Sequence, residues 1–246
     1  MAQFHRWKAI NSRWRSDAGD VAAPSIPLVI ALVGLALEAR IAASPGVLVI
    51  CHEEPRKAAD AIENAIKNGC RSIISFGIAG GLAPGLSPGD LIVASAIIDQ
   101  QTVRPTDPAW SARLLQTLPG STYAPILGVD AAIADPAIKR QLHQLVGAAA
   151  VDMESHVVAR LAVDHGLAFA ALRVIIDPAH RAIPDAALAG FGGGGTDVRG
   201  VLRQLKASPS QTIMLARLGL DLLKARSRLV RTRHLLDSGF HHAEQC

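Results

Sequence analysis

The chain has 246 residues, half of them hydrophobic, and a formal net charge of +4. That length suits one large α/β domain or at most two small ones. Aromatic residues make up only 4% of the chain, so the core must be built from aliphatic side chains. The three cysteines have no metal-like spacing and are odd in number, which best fits a reducing cytoplasm.

Basic residues are concentrated at the two ends of the chain. Residues 1–26 are polar, basic and aperiodic, and we predict a flexible extension there. Residues 27–246 show no convincing boundary and are predicted to form a single domain that ends in basic helices. The basic ends are either solvated surfaces or attracted to an anionic surface such as a membrane.

The predicted elements alternate between apolar strands and helices. Buried strands are expected over 28–37, 47–51, 72–76, 91–98 and 168–176, with short apolar runs at 125–128 and 148–152. Helices are expected over 56–68, 136–146, 154–165, 197–206 and 210–236. This alternation predicts an α/β fold in three αβα layers, with helices on both faces of a mixed twisted sheet.

The apolar run over 27–37 has a second interpretation. It follows a basic segment and is similar in composition to the hydrophobic region of a signal peptide. The run is too short to cross a bilayer, and it ends at Glu38 and Arg40 without a clear cleavage site. A buried first strand is therefore the favoured interpretation.

Glycines cluster directly after the third predicted strand, in the segment 75–82 (SFGIAGGL). Glycine lets a ligand approach the backbone closely, and exposed N–H groups can bind oxygen atoms. The spacing is neither a dinucleotide fingerprint nor a phosphate-binding Walker loop. A tight turn from strand to loop explains the segment equally well.

Three carboxylates stand at positions that suit a ligand site. Glu154 begins a predicted helix, where it could cap the helix or accept hydrogen bonds from a sugar diol. Asp177 ends a buried strand before Pro178, where burial would raise its pKa and suit a general acid, although a simple turn is the alternative. Glu38 could orient a water molecule or pair with Arg40 on the surface.

Other polar residues point away from metal and acyl-transfer chemistry. None of the nine histidines has metal-ligand spacing, so we predict no metal site. Neither a nucleophile elbow nor a Cys–His arrangement is evident in the sequence. Asp130 precedes a predicted helix, and we interpret it as the residue that caps that helix.

Taken in order, several of these segments resemble the nucleoside phosphorylase/nucleosidase superfamily. The resemblance spans residues 28–190 and is carried by residues 77–82, 88–90, Asp130, 151–154 and Asp177. The chain is more similar to methylthioadenosine/adenosylhomocysteine nucleosidases than to the phosphorylases. Residues 34–42, residues 75–82 and the basic C-terminal helices resemble most the hopanoid-associated branch, which releases adenine from adenosylhopane.

The resemblance implies roles for particular residues. Asp177 would protonate the purine, Glu38 would hold the attacking water, and Met153 with Glu154 would bind the ribose. The full set of implied site residues is catalytic Asp177 and Glu38, and substrate-binding Asp152, Met153, Glu154, Ile78, Ala79 and Gly80.

Two departures from the superfamily pattern bear on the reaction. Hexameric phosphorylases carry Arg-x-Gly-Ser/Thr where this chain has residues 75–78, SFGI, so the groups that hold phosphate are missing. This favours hydrolysis, although Arg40 or His52 could bind phosphate instead. The aromatic residue expected two positions after Asp130 is also absent, unless Phe76 or Phe191 takes its place against the base.

The resemblance also implies the partners of the protein. We expect a purine nucleoside as substrate, lipid-linked in the hopanoid branch, and no cofactor, with phosphate as co-substrate only in a phosphorylase. We expect a homo-oligomer and no nucleic-acid partner. The cytoplasm is the expected location, with contact at the inner membrane face if the basic C-terminal helix lies on lipid.

Overall fold

The structure is a computed structural model that describes residues 29–51, 55–184, 187, 211–236 and 239–241. The predicted extension 1–26, the glycine-rich segment 190–195 and the predicted helix 197–206 lie outside the described residues. So do His52 and Phe191.

Within the described residues, eight strands form one mixed sheet, which confirms the predicted fold class. The strands are β1 Val29–Val33, β2 Val47–Cys51, β3 Ser72–Gly81, β4 Leu91–Asp99, β5 Thr102–Pro105, β6 Thr122–Gly128, β7 Ala150–Asp152 and β8 Ala168–Asp177. Strand β8 pairs with both β3 and β4, so strands β3, β8, β4, β6 and β7 close into a ring that the sequence did not predict. Strands β1 and β2 extend the sheet beyond β3, and β5 extends it beyond β4.

Helices cover both faces of the sheet. The helices within the described residues are α1 Ala36–Ala42, α2 Pro55–Lys67, α3 Pro108–Thr117, α4 Pro136–Val146, α5 Ser155–His165 and α6 Gln211–Leu235. Alternate strand residues contribute to the two larger buried clusters: Ile30 and Ile73 pack with α2 and α5 on one face, whereas Ala31 and Ile74 pack with α3 and α6 on the other. None of these helices has the length and apolarity needed to cross a membrane.

Two predicted boundaries are wrong in ways that affect the site. The first strand ends at Val33 rather than at residue 37, and helix α1 follows from Ala36. Glu38 therefore lies on a helix, and its side chain turns back to the strand end. The third strand continues through the glycines to Gly81, because Gly77, Gly80 and Gly81 are extended rather than folded into a turn.

Asp130 does not cap a helix. Helix α4 is capped instead by Asp135, whose side chain accepts a hydrogen bond from the backbone N–H of Ala137. The Asp130 side chain is exposed and lies 3.0 Å from Nε2 of buried His156. Strand β5 and helix α3 were not predicted from the sequence.

Candidate active site

A cavity open to solvent lies at the carboxyl ends of β3, β7 and β8. All eight site residues named from the sequence line it. The complete lining, these eight residues included, is Leu35, Glu38, Ile78, Ala79, Gly80, Val129, Ala132, Ile133, Val151, Asp152, Met153, Glu154, Ile176, Asp177, Ile183 and Leu218.

Strand pairing explains why residues far apart in sequence meet here. Strands β3 and β8 run parallel and place Gly77 beside Arg173 and Gly80 beside Asp177, with an irregularity between Ala79 and Gly80. Strand β7 pairs antiparallel with the end of β3 through Gly80 and Val151. The pairing therefore gathers the acid of β8 and the residues after β7 around the glycines of β3.

Arg173 organises the floor of this site, and sequence reasoning missed it. Its guanidinium is fully buried and lies 2.6 Å from Oδ2 of Asp152 and 3.2 Å from Oε2 of Glu154. It also donates to Oγ of Ser75 at 2.6 Å. A buried cation of this kind is tolerated only when it is paired and hydrogen-bonded.

Asp152, and not Glu154, caps helix α5. The Asp152 Oδ1 atom accepts hydrogen bonds from the backbone N–H groups of Ser155 at 2.9 Å and Glu154 at 3.3 Å. Its Oδ2 atom binds Arg173 and accepts a hydrogen bond from the Ser155 hydroxyl. The Glu154 side chain makes no cap hydrogen bond, so its carboxylate is left to face the cavity.

Glu38 is a buried carboxylate held by backbone N–H groups, rather than the surface partner of Arg40. Its Oε2 atom accepts from Gly34 and Leu35 at 2.9 Å each, and its Oε1 atom accepts from Ile78 at 2.8 Å. Burial raises the pKa of Glu38, while Arg173 and the three backbone donors oppose that rise. The Oε1 atom has one backbone donor and keeps acceptor capacity, whereas the two donors to Oε2 use both of its lone pairs.

Glu154 shares this electrostatic environment. Its side chain is 18% exposed, and burial raises its pKa to about 7. Arg173 lowers the pKa, whereas the nearby carboxylates of Asp152 and Glu38 raise it. Three acidic groups therefore surround one guanidinium, an arrangement that favours a cation in the cavity and disfavours an anion.

Replacing Glu154 by glutamine should make the free energy of unfolding less sensitive to pH. A raised native pKa means that the folded wild type binds the proton more tightly than the unfolded chain does, so its stability falls between pH 4.5 and about 7. The variant lacks this loss, and we expect its stability relative to wild type to rise by about 1–3 kcal/mol from pH 5 to 8. Urea denaturation of both proteins at pH 5 and pH 8 tests this prediction. The same difference in free energy of unfolding between variant and wild type at the two pH values would contradict it.

Gly77 lies against the side chains of both Glu38 and Arg173. A methyl group on its Cα would overlap Oε1 of Glu38 and lie 2.5 Å from Nη1 of Arg173. We expect Gly77→Ala to lower the free energy of unfolding by about 1–3 kcal/mol, as overpacking does.

Gly219 provides the matched control for this substitution. It lies in helix α6 with open space around its Cα, so Gly219→Ala should be neutral or stabilising. Thermal unfolding of both variants compares them directly. Equal effects of the two substitutions would show that the space around Gly77 is not limiting.

Asp177 also lines the cavity, and a buried lysine that is not among the lining residues binds it. Lys139 Nζ on helix α4 forms an ion pair with Oδ2 of Asp177, and both side chains are almost completely buried. Burial raises the pKa of Asp177, whereas Lys139 and Arg181 lower it and Asp221 raises it. Sequence reasoning missed Lys139.

Apart from the polar residues described above, the lining of the cavity is mostly aliphatic. Ala132, Ile133, Val151, Ile176 and Ile183 supply its surface, and no lining residue within the described ranges is aromatic. Phe76 does not serve as a stacking ring, because it is completely buried and packs edge-on against Phe240 with ring centroids 5.3 Å apart.

A phosphate-binding group is absent from the cavity lining within the described residues. Arg40 is exposed on helix α1 and does not line the cavity. The guanidinium of Arg173 is engaged by Asp152 and Glu154. The described part of the chain also contains no group of three or more His, Cys, Asp or Glu side chains arranged to hold a metal ion.

Comparison with solved structures shows that the fold is shared with several nucleoside-cleaving enzymes. Futalosine hydrolase of Helicobacter pylori matches with a TM-score of 0.62 and 14% identity, covering 87% of this chain and 98% of that chain. The 5′-methylthioadenosine/S-adenosylhomocysteine nucleosidase of S. pneumoniae matches with a TM-score of 0.56 and 13% identity, covering 85% and 99%. A variant of the H. pylori nucleosidase matches with a TM-score of 0.57 and 14% identity, covering 83% and 96%.

Sequence comparison assigns the family. A search of curated proteins returned no match. The family model described as the phosphorylase superfamily matches residues 39–197, which is more than half of the chain. This match contains Asp152, Met153, Glu154 and Asp177, and it confirms the superfamily part of the resemblance. The chain therefore belongs to the phosphorylase superfamily and is an enzyme of that family.

Proposed function

We propose that this protein cleaves the N-glycosidic bond of a purine nucleoside with water and releases adenine. The observation that carries the proposal is that Asp177, a buried acid with a raised pKa, lines the same cavity as the carboxylates of Glu38 and Glu154. The structural neighbours support it, because they include 5′-methylthioadenosine/S-adenosylhomocysteine nucleosidases and a futalosine hydrolase.

In the proposed reaction, Asp177 gives its proton to N7 of the base as the bond from N9 to C1′ of the ribose breaks. The bonding electrons leave with adenine, and the ribose becomes oxocarbenium-like. Glu154, held beside Met153, accepts hydrogen bonds from the ribose hydroxyls. Water attacks C1′ and passes a proton to Glu38, whose raised pKa suits a general base. These steps need no metal or organic cofactor.

Electrostatics favour water over phosphate as the nucleophile. Two titrating carboxylates face the ribose side of the cavity, and the nearest guanidinium is already paired. A phosphate dianion would be repelled there, whereas a cationic transition state would be stabilised. A phosphate-dependent phosphorylase is the alternative, and a nucleoside-binding protein without turnover is the second.

We further propose adenosylhopane as the substrate. Its 5′ substituent is a large apolar group, and apolar side chains, among them Leu35 and Leu218, line much of the cavity. Leu218 belongs to helix α6, so this helix forms part of the cavity wall.

The outward face of helix α6 suits peripheral contact with an anionic membrane. Leu220 and Leu223 are each 60% exposed there. They stand among the exposed cations Arg217, Lys224, Arg226 and Arg231.

The test of membrane contact uses point substitutions rather than deletion of the helix, because Ala225 and Leu229 of the same helix are core residues. The double variant Leu220→Ser, Leu223→Ser should lose binding to anionic vesicles, and undiminished binding would end this part of the proposal.

A homo-oligomer is part of the same proposal. It rests on the superfamily resemblance and on the exposure of large apolar side chains such as Leu145 and Val163. Sedimentation of the full chain tests it, and a monomer at micromolar concentration would contradict it.

Turnover of a small substrate panel tests the function. Adenosylhopane, 5′-methylthioadenosine and adenosine would each be incubated with the protein, with and without phosphate, and adenine measured by chromatography. We expect release that does not depend on phosphate and is fastest for adenosylhopane. Release only with phosphate would identify a phosphorylase, and binding without release would support the non-catalytic alternative.

A further inference from the structure

We propose that Lys139 is a positioning residue for the acid: it holds Asp177 in place and stabilises the carboxylate left after the proton has passed to the base. This inference rests on the proposed function, because it assigns Lys139 a part in the same proton transfer. Lys139 does not line the cavity and therefore acts through the residues that it holds, above all Asp177.

The ammonium group of Lys139 has a complete set of partners. It pairs with Oδ2 of Asp177, donates to the carbonyl of Arg181 at 3.1 Å, and lies 3.5 Å from the carbonyl of Pro178. A lysine ammonium has three donors and no acceptor, so these partners use its whole capacity. Its position relative to the end of β8 is therefore fixed.

The same contacts hold the chain that follows the acid. Residues 178–181 wrap around the ammonium group, and the backbone N–H of Ile183 donates to the carbonyl of Ala134 at 3.2 Å. Ile183 lines the cavity. Lys139 thus fixes both the acid and the segment that leads to one apolar wall of the cavity.

The desolvation free energy of a buried charged lysine argues against a purely structural role for Lys139. Its side chain is fully buried, and it stands on the face of helix α4 that carries Leu142 and Val146, three and seven residues later. An apolar residue of similar volume would fill that position without removing a charge from water, and such replacements of buried ion pairs are often neutral or stabilising. A specific need for a cation explains the lysine better.

That need follows from the charge change at Asp177. In the form that donates its proton the acid is neutral, and after proton transfer its carboxylate forms the ion pair with Lys139 in an otherwise aliphatic wall. A cation in contact with Oδ2 stabilises the carboxylate more than the neutral acid, and so makes the acid a stronger donor toward N7. The other charged groups that act on Asp177 are Arg181, which favours the carboxylate, and Asp221, which opposes it and is itself paired with Arg181.

The test is the pH dependence of turnover by Lys139→Met, measured as adenine release from the preferred nucleoside. We expect kcat on the plateau to fall about 10–100-fold, which is part of the 10²–10⁴ that a general acid contributes, with KM changed little. The alkaline limb of the kcat–pH profile should move to higher pH by about 1–3 units, because loss of the neighbouring cation raises the pKa of the acid. Lys139→Arg keeps a cation and should leave the limb near its wild-type position.

Controls separate this inference from a loss of structure and from the proposed function. Lys67→Met removes an exposed lysine of helix α2 and should change neither kcat nor the limb. If Lys139→Met does not fold, Lys139→Gln, which is neutral and polar, should show the same upward shift. A fall in kcat with an unmoved limb in a folded variant would overturn the assignment and leave the function intact. No base release by wild type would overturn both.

Discussion

Replacing Asp177 by asparagine is expected to lower base release about 10²–10⁴-fold, because the substitution removes the acid that we propose protonates the purine. Asparagine has nearly the same shape, and its amide can still contact Lys139 or Gly80 but supplies no titratable proton. We therefore expect the nucleoside to bind with a similar Kd while kcat falls. Single-turnover adenine release and equilibrium binding measure the two quantities separately.

An exposed aspartate supplies the control for this prediction. Asp164→Asn makes the same chemical change on the outer surface of helix α5 and should leave kcat unaltered. Retention of more than a tenth of the wild-type kcat by Asp177→Asn would assign proton transfer to another group, and the proposed mechanism would fail.

Replacing Arg173 by methionine is expected to have the largest effect on stability. The variant leaves the carboxylates of Asp152, Glu154 and Glu38 buried without their cation, and breaking a buried ion pair costs about 3–5 kcal/mol. Denaturation in urea measures the loss. The destabilisation should ease as the pH falls, because protonation removes the uncompensated charges.

Arg160 offers a matched comparison. It pairs with Asp99 at 3.0 Å, but its side chain is 48% exposed, so Arg160→Met should cost only about 0–1 kcal/mol. If Arg173→Met were as mild as Arg160→Met, Arg173 would not be the residue that balances the carboxylates of the site.

The sequence predicted most of the elements, because their apolar periodicity is strong. Helix 136–146 matches the structure, and the buried strand 168–176 is one residue short at Asp177. The predictions are wrong or incomplete where the local sequence pattern fits more than one structure. The apolar run through residue 37 does not show that the chain bends at Gly34 and turns into helix α1. Ring closure through β8 depends on pairing between distant segments, which periodicity cannot show.

The carboxylates of the site could be predicted, but the cations that balance them could not. Asp177 and Glu154 stand at element ends, where ligand sites gather, and motif order placed them in one superfamily. Arg173 lies inside an apolar strand and Lys139 in an amphipathic helix, and the partners of both are remote in sequence. A charged residue inside a buried strand, or on the apolar face of a helix, is costly unless it is paired. The unfavourable free energy of burying an unpaired charge was therefore the signal in the sequence that both residues need a partner.

Cleavage of the glycosidic bond by water is the central claim, and NMR of one reaction tests it most directly. The protein would be incubated with the adenine nucleoside that it turns over fastest, in phosphate buffer, while proton spectra follow adenine and phosphorus spectra follow sugar phosphates. We predict free adenine and an equal amount of free sugar, with no sugar 1-phosphate. Accumulation of the sugar 1-phosphate in step with adenine would contradict the account and identify a phosphorylase.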